Sequence, residues 1–416
     1  MNLTKKPVTG MKDILPREME IRNYVMQQIR ETYTEFGFTQ IETPCVEHIE
    51  NLNSKQGGEN EKLIFKIMKR GEKLKLAEAK SENDLTDSGL RYDLTLPLSR
   101  FYANNANELP SPFKALQMGP VWRADRPQKG RFRQFMQCDI DILGEASHIA
   151  EIELILATTT VLGKIGFKNF TIRINDRRIL KAMAAYCGFP ESSCDEVFII
   201  LDKMDKIGEE GVEKELVEAG FSQESADKYM ELFRQTTPDA EGVKTLREKL
   251  NGYLDPKYAD DLISIINSAE AAKQADFHMA FDPTLVRGMS YYTGPIFEIS
   301  MDEFGSSVGG GGRYDEMVGK FIGQPVPAVG FSIGFERIVI LLLDSGFQVP
   351  GSVVKKAYLI DKKCSSEQIL ATEAKAMAER KAGQTVNVLM AKKNRRFQKD
   401  QLTAEGYTEI EDVYAN

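Results

Sequence analysis

Two runs of alternating apolar and polar residues, 113–122 and 132–143, flank the charged segment RADRPQKGR. Period-two alternation on either side of a loop that holds Pro127 and Gly130 predicts an antiparallel hairpin with a long loop. Five cations, Arg123, Arg126, Lys129, Arg131 and Arg133, fall within eleven residues of that hairpin. On extended backbone Arg131 and Arg133 share a face and Phe132 faces away. Planar guanidinium groups suit bidentate contact with phosphate oxygens. A solvated charged loop is the ordinary alternative, but the loop runs straight into Phe135, Gln137, Asp139 and Asp141, a mixture that strand burial alone does not favour.

The rest of the pattern predicts an α+β chain. A helix is expected over 17–36, with Ile21, Tyr24, Val25, Ile29, Tyr33 and Phe36 at helical spacing and Gly37 as its stop. A strand follows at 38–43, closed by Pro44. Residues 51–82 are polar and lysine-rich and read as loop and hairpin. Apolar alternation returns at 90–102 and passes into a short helix. A helix is expected at 150–165, a strand at 167–175, a mostly helical insertion over 176–275, and strands at 277–281 and 296–300. A boundary near 346–352 separates a core of residues 1–345 from a module of 353–416. That module shows a strand (357–360), a helix (367–381), a strand (385–390), a basic helix and a last strand, the alternation of a small α/β unit. With 416 residues, two or three domains are expected.

Composition narrows the function classes. Lysine and arginine number 54 and aspartate and glutamate 62, so the net charge of −8 excludes a globally basic nucleic-acid binder but not a locally basic one. The longest apolar runs, 182–187 and 338–343, are too short to span a membrane. The N-terminal MNLTKKPVTGMKDILP has no apolar signal region, so a cytoplasmic protein is expected. Five scattered cysteines read as reduced thiols, and three histidines without a CxxC leave no structural zinc site.

Four further segments carry chemistry. In Asp93–Leu94–Thr95, Asp93 and Thr95 on one face of an extended segment could join Gln137 in gripping an ammonium group. In LVRGMSYYTG, Arg287 precedes a glycine and the pair Tyr291–Tyr292; Tyr292 with Asp141 could read a polar aromatic substrate through hydrogen bonds. GGGGRYD (309–315) lacks the ending of a P-loop, and its glycines, Gly311 among them, suit close approach of a ligand to backbone. In GFSIGFER, Arg337 opens an apolar helix, where a cation runs against the helix dipole and an anionic partner is expected. Taken singly, each has a plain structural reading: a satisfied turn, core tyrosines, or a salt bridge. Together they bring phosphate-binding arginines from three separate segments.

These residues resemble the histidyl-tRNA synthetase family of class II aminoacyl-tRNA synthetases. The resemblance covers about residues 7–344 and rests on TGMKDILP, the proline of IETP (Pro44), WRADRPQKGRFRQFMQCDIDILG, LVRGMSYYTG, GGGRYD and GFSIGFER. It implies a class II catalytic core, a six-stranded antiparallel sheet flanked by helices, with a helical insertion and a small C-terminal α/β module. It implies an obligate homodimer with dimer contacts around Pro44. The implied activity joins L-histidine to ATP as histidyl-adenylate, with Mg²⁺ accompanying the nucleotide, and then moves histidine to the 3′ end of tRNA(His).

The resemblance also implies roles. Arg123 contacts the α-phosphate of ATP, Arg131 and Arg337 the γ-phosphate, Phe135 stacks on adenine and Asp125 approaches its edge. Asp93, Thr95 and Gln137 hold the ammonium; Asp141 and Tyr292 read the imidazole; Tyr291 and Gly311 complete the histidine site. Arg287 is the catalytic arginine, beside Arg123. Ser290 stands where the family commonly has aspartate, and the C-terminal module is an abbreviated form of the family's anticodon-binding domain. KKNRRFQK (392–399), with Phe397, suits a phosphate backbone and a stacking ring, or simply a solvated helix face. Two other readings stay open: a histidine-binding regulatory subunit of ATP phosphoribosyltransferase, and a paralogue that activates histidine without charging tRNA. Regulatory paralogues usually lose the phosphate-binding arginines, whereas Arg123, Arg131, Arg287 and Arg337 are all present here.

Overall fold

The computed structural model describes residues 3–53, 60–286, 291–301, 306–351 and 355–415. The chain divides into two units, residues 1–13 with 22–345, and residues 14–21 with 346–416. Strands of the larger unit are, in order, β1 (Thr39–Ile41), β2 (Val46–His48), β3 (Lys66–Met68), β4 (Thr86–Leu90), β5 (Phe113–Trp122), β6 (Gln134–Leu143), β7 (Phe170–Asp176), β8 (Phe277–Phe281), β9 (Pro295–Met301), β10 (Ser306–Arg313) and β11 (Ala328–Ile333). The first helices are α1 (Pro16–Glu35), α2 (Ile49–Asn53), α3 (Glu82–Leu85), α4 (Thr95–Asn105) and α5 (Ile149–Ile165). Then come α6 (Arg177–Tyr186), α7 (Cys194–Leu201), α8 (Met204–Glu218), α9 (Gln223–Arg234), α10 (Ala240–Lys249) and α11 (Pro256–Ala272), followed by α12 (Glu316–Ile322) and α13 (Phe335–Asp344).

The main sheet has the order β1-β5-β6-β11-β10-β9-β7-β8. Its six central strands are antiparallel throughout, from β5 to β7. A parallel strand extends each edge: β1 beside β5, and β8 beside β7. The expected six-stranded antiparallel sheet is thus the centre of an eight-stranded mixed one. A second sheet, β2-β4-β3, is built from the polar stretch after Pro44.

Local sequence explains these elements. In α1 the periodic residues Val25, Ile29 and Tyr33 are fully buried, and Gly37 takes the left-handed φ of +81° that ends the helix. The β5–β6 pair runs from Phe113 opposite Leu143 to Trp122 opposite Gln134. β6 starts two residues later than the alternation suggests. The Arg133 N–H donates to the Gly10 carbonyl at 2.8 Å rather than to the sheet ladder, so residues 132 and 133 are loop, not strand. α5 is apolar on nearly every side and buried, with Leu154, Ile155, Ala157, Val161 and Leu162 fully enclosed. Among the described residues no helix is long and apolar enough to cross a membrane.

Buried ion pairs pin this unit. Arg313, at the end of β10, grips Glu151 of α5 with two bonds of 2.6 and 2.8 Å, and both side chains are more than nine-tenths buried. Arg22 of α1 grips Glu336 of α13 at 2.6 and 3.0 Å.

In the smaller unit β12 (Lys355–Ile360), α14 (Ser366–Lys381), β13 (Thr385–Met390), α15 (Arg395–Ala404) and β14 (Glu409–Val413) alternate. The sheet order is β13-β12-β14, all parallel. A reciprocal Ser365–Gln368 cap starts α14. On α15, Arg395 and Lys399 both pair with Asp412, so part of the basic run is neutralised within the unit. Phe397 stands exposed.

Replacing Arg313 with Met strands the Glu151 carboxylate inside the protein. Loss of one partner from such a pair costs about 3–5 kcal/mol. Urea unfolding should show a loss of that size for Arg313→Met, and a much smaller one when Glu151→Leu is added.

Candidate functional site

One cleft of about 490 Å³ opens over the middle of the main sheet. Its floor comes from β6, β10 and β11, and its ends from the β5–β6 loop, the start of α4 and the start of α13. Twelve of the sequence-derived residues line it: Asp93, Thr95, Arg123, Asp125, Arg131, Phe135, Gln137, Asp141, Tyr291, Tyr292, Gly311 and Arg337. The remaining one, Arg287, lies outside the described residues, as does Ser290.

The cationic end is braced by aromatic rings. The Arg123 Nε donates to the Tyr92 carbonyl at 3.1 Å. Its guanidinium lies 4.4 Å from the Tyr92 ring centre and 5.1 Å from that of Phe135. Rings on both contacts fix the plane of the charge without neutralising it. The Arg337 Nη1 donates to the Ser307 carbonyl, which directs the side chain from α13 across to β10. Glu336, next in the chain, is taken up by Arg22 and by the Met136 N–H at 3.0 Å, so it anchors the helix start to β6.

The hairpin loop departs from the strand-based expectation. Of its five cations, Arg123 and Arg131 line the cleft. Arg133 instead donates from Nε to the Asp125 carbonyl at 3.1 Å, and Lys129 pairs with the exposed Asp344. Phe132 lines the cleft, with the Lys12 ammonium 4.7 Å from its ring. Arg131 and Phe132 therefore share the cleft while Arg133 points elsewhere, because loop backbone does not hold a period of two. Similarly, Asp93 and Thr95 belong to a helix start rather than an extended segment: the Asp93 Oδ1 accepts the Leu96 N–H at 3.1 Å, and Thr95 is the first residue of α4.

The opposite end is acidic and enclosed. Gln137, Asp139 and Asp141 alternate along β6 and project to one side. Asp141 accepts the Tyr314 hydroxyl at 2.6 Å. It stands opposite Gly330, where a Cβ would collide with the Asp141 Oδ1. The glycines of GGGGRYD form a central strand, not a phosphate loop. A Cβ on Gly311 would collide with the Gly330 carbonyl, so close strand approach requires glycine there. Tyr291 packs on Tyr292 with ring centres 4.8 Å apart and meets Tyr314 edge-on at 6.2 Å.

Burial governs protonation here. It pushes the Tyr291 and Tyr314 hydroxyls well up from the ordinary tyrosine range, with Tyr292 and Asp141 adding to the two shifts respectively. Both rings therefore offer hydrogen-bond donors. Burial, then the neighbouring Asp141 carboxylate, holds the Asp139 carboxyl well above its usual range. The Gln137 side chain donates from Nε2 to Asp139 and to the Ser332 hydroxyl, while its Oε1 is buried with no partner among the described residues.

Several lining residues were not among those picked from sequence: Tyr92, Asp139, Ser307, Tyr314 and Ser332. For Asp139 a signal existed, since it sits midway between Gln137 and Asp141 on one strand face. For Ser332 and Tyr92 the contact arises from tertiary pairing alone.

Asp139 also sets a pH dependence. Well below the ordinary aspartate value of about 4, its carboxyl is protonated in folded and unfolded chains alike. Above that the unfolded chain releases the proton and the folded chain keeps it, so this residue subtracts stability as pH rises toward its elevated folded value. An asparagine at the same position has no such dependence. The stability of the Asp139→Asn variant relative to the native chain should therefore grow from about pH 4 to pH 7, read by urea unfolding at each pH.

Comparison with known proteins bears on this site. A family model described as histidyl-tRNA synthetase matches residues 10–338. Sequence identity is 43% over 427 aligned residues with the histidine–tRNA ligase of Leifsonia xyli subsp. xyli, covering 99% of this chain and 95% of that protein. It is 40% with the probable histidine–tRNA ligase of Tropheryma whipplei, covering 96% and 94%. Among solved structures, the histidyl-tRNA synthetase of Nostoc sp. PCC 7120 superposes with a TM-score of 0.81 at 26% identity, covering 100% of this chain and 92% of that one.

Proposed function

The chain belongs to the histidyl-tRNA synthetase family, and from that premise we propose that it is an ATP-dependent ligase that activates L-histidine and transfers it to tRNA(His). One observation carries the reading furthest: Arg123 and Arg131 of the hairpin loop and Arg337 of α13, two segments far apart in the chain, line the same cleft as Asp93, Gln137 and Asp141. One end suits a triphosphate and the other an amino acid with a cationic head and a polar ring.

The chemistry follows from charge. A carboxylate is already ionised at pH 7, so the first step needs no general base. A histidine carboxylate oxygen attacks the α-phosphorus, the bond to the bridging oxygen breaks, and pyrophosphate leaves. The obstacle is bringing one anion onto another, and fixed cations in an enclosed site lower it. Arg123, held between Tyr92 and Phe135, is set to meet the α-phosphate. Arg131 and Arg337 are assigned to the γ-phosphate, Phe135 to the face of adenine and Asp125 to its edge. Arg287 takes the place between carboxylate and α-phosphate that the family motif implies. Mg²⁺ is assigned to the nucleotide, as a companion of its phosphates.

At the acidic end, Asp93, Thr95 and the Gln137 Oε1, which has no partner among the described residues, receive the ammonium, and Asp141 with Tyr292 reads the imidazole. Tyr291 and Gly311 close the wall and floor. A site built from fixed hydrogen-bonding groups rejects side chains that leave those groups unpaired. In the second step a hydroxyl of the 3′-terminal ribose attacks the activated carbonyl, its proton is lost and AMP departs. We further infer a homodimer with contacts near Pro44, acting in the cytoplasm.

Histidine-dependent exchange of pyrophosphate into ATP tests the first step, and charging of tRNA(His) the second. Arg123→Ala should lower exchange by roughly 10²–10³-fold, the usual loss for one electrostatic group. Arg287→Ala should abolish exchange while leaving the unfolding midpoint near that of the native chain. Exchange unchanged by either substitution would refute that residue's role. Gly330→Ala should displace Asp141 and raise the KM for histidine far more than that for ATP, in steady-state exchange assays.

A further inference from the structure

Gln137 has an amide whose two ends are nearly the same size, so packing alone does not choose which end faces the cleft. Its surroundings do. The Nε2 lies 3.3 and 3.5 Å from the two Asp139 carboxyl oxygens and 3.4 Å from the Ser332 hydroxyl. With Nε2 on that side the amide donates to both groups, whereas the reverse orientation would set the amide oxygen against the carboxyl oxygen that carries no proton. Asp139 and Ser332 are cross-strand partners on β6 and β11, so the two acceptors are fixed by sheet register. As a result the Gln137 Oε1 is buried without a partner among the described residues. A buried acceptor left unpaired in a native fold calls for an explanation, and a ligand donor supplies one.

We propose that Asp139 is a positioning residue for amino-acid recognition: together with Ser332 it orients the Gln137 amide so that the carbonyl oxygen accepts a hydrogen bond from the α-ammonium of the substrate. This rests on the assignment of the ammonium to that corner of the cleft. Asp139 acts through Gln137 and not by its own charge. Burial and the nearby Asp141 and Asp93 carboxylates favour its neutral form, which limits any direct ionic attraction.

The proposal separates Asp139→Ala from Asp139→Asn. Asparagine keeps an acceptor for the Gln137 amide and removes the charge; alanine removes both. In pyrophosphate exchange, Asp139→Ala should raise the KM for histidine by about 10-fold or more, the scale of one hydrogen bond to a charged group. The KM for ATP and the rate at saturating histidine should change less than about threefold. Asp139→Asn should return the histidine KM to within about threefold of native. Ser332→Ala, which leaves Asp139 in place, should give a smaller loss in the same direction.

A second measurement uses 3-(imidazol-4-yl)propionate, which lacks the ammonium. Its inhibition constant should be the same for the native chain and for Asp139→Ala. Equal losses in the alanine and asparagine variants would overturn the proposal in favour of direct charge attraction. An equal loss for histidine and the propionate would overturn it in favour of a general structural role, as would an unchanged histidine KM in Asp139→Ala. Should the alanine variant fail to fold, Asp139→Asn and Ser332→Ala decide the matter by the same criteria. Absence of histidine-dependent exchange in the native chain would instead strike the functional assignment. A Gln137→Ala variant that weakens histidine and the propionate alike would strike the ammonium assignment.

Discussion

The register between β6 and β11 is the constraint on which the cleft depends. It sets Asp141 opposite Gly330 and Asp139 opposite Ser332. Side chains alternate across a strand, so a slip of one residue would turn Gln137, Asp139 and Asp141 to the other face together. The register is held on both sides: β5 pairs with all ten residues of β6, and β10 pairs along β11. Glycine opposite Asp141 adds a steric lock, because in other registers the carboxyl would confront a side chain.

Charge is sorted along this floor. The guanidinium groups come from the hairpin loop and from α13, which also bring Asp125 and Glu336, and the remaining carboxyls come from β6 and the start of α4. Neutral groups do much of the orienting: Arg123 lies against two rings and donates to a carbonyl, Arg337 donates to a carbonyl, and Asp141 accepts a tyrosine hydroxyl. Arg123, held by a neutral carbonyl and two rings, keeps its field available to a substrate. Elsewhere in the same unit charges pair directly, as Arg313 with Glu151 and Arg22 with Glu336, and there they serve as fasteners.

Much of this was legible in the chain itself, for identifiable reasons. The β5–β6 hairpin shows because long alternation survives in a central antiparallel pair, and α1 shows because its buried face repeats at helical spacing. The gathering of Arg123, Arg131 and Arg337 with Gln137 and Asp141 was reached through motif resemblance; no periodicity announces it. The misreadings were local. Arg133 and Phe132 exchanged faces because Arg133 bonds Gly10 and leaves strand geometry. Asp93 and Thr95 sit at a helix start because the Asp93 carboxyl captures the Leu96 N–H. The parallel edge strands β1 and β8 are three and five residues long, too short to carry a signal of direction. Asp139 was named with its strand neighbours but given no role of its own, because its pairing with Ser332 arises across the sheet.

Glu336 links three parts of the chain at once: the guanidinium of Arg22, the backbone of β6 at Met136, and the helix that carries Arg337. Arg22 is not among the residues that line the cleft, yet it holds the post to which one wall is tied. Inactivating variants collected at random from this chain would therefore cluster partly at position 22, and a survey confined to the residues around the substrate would miss them.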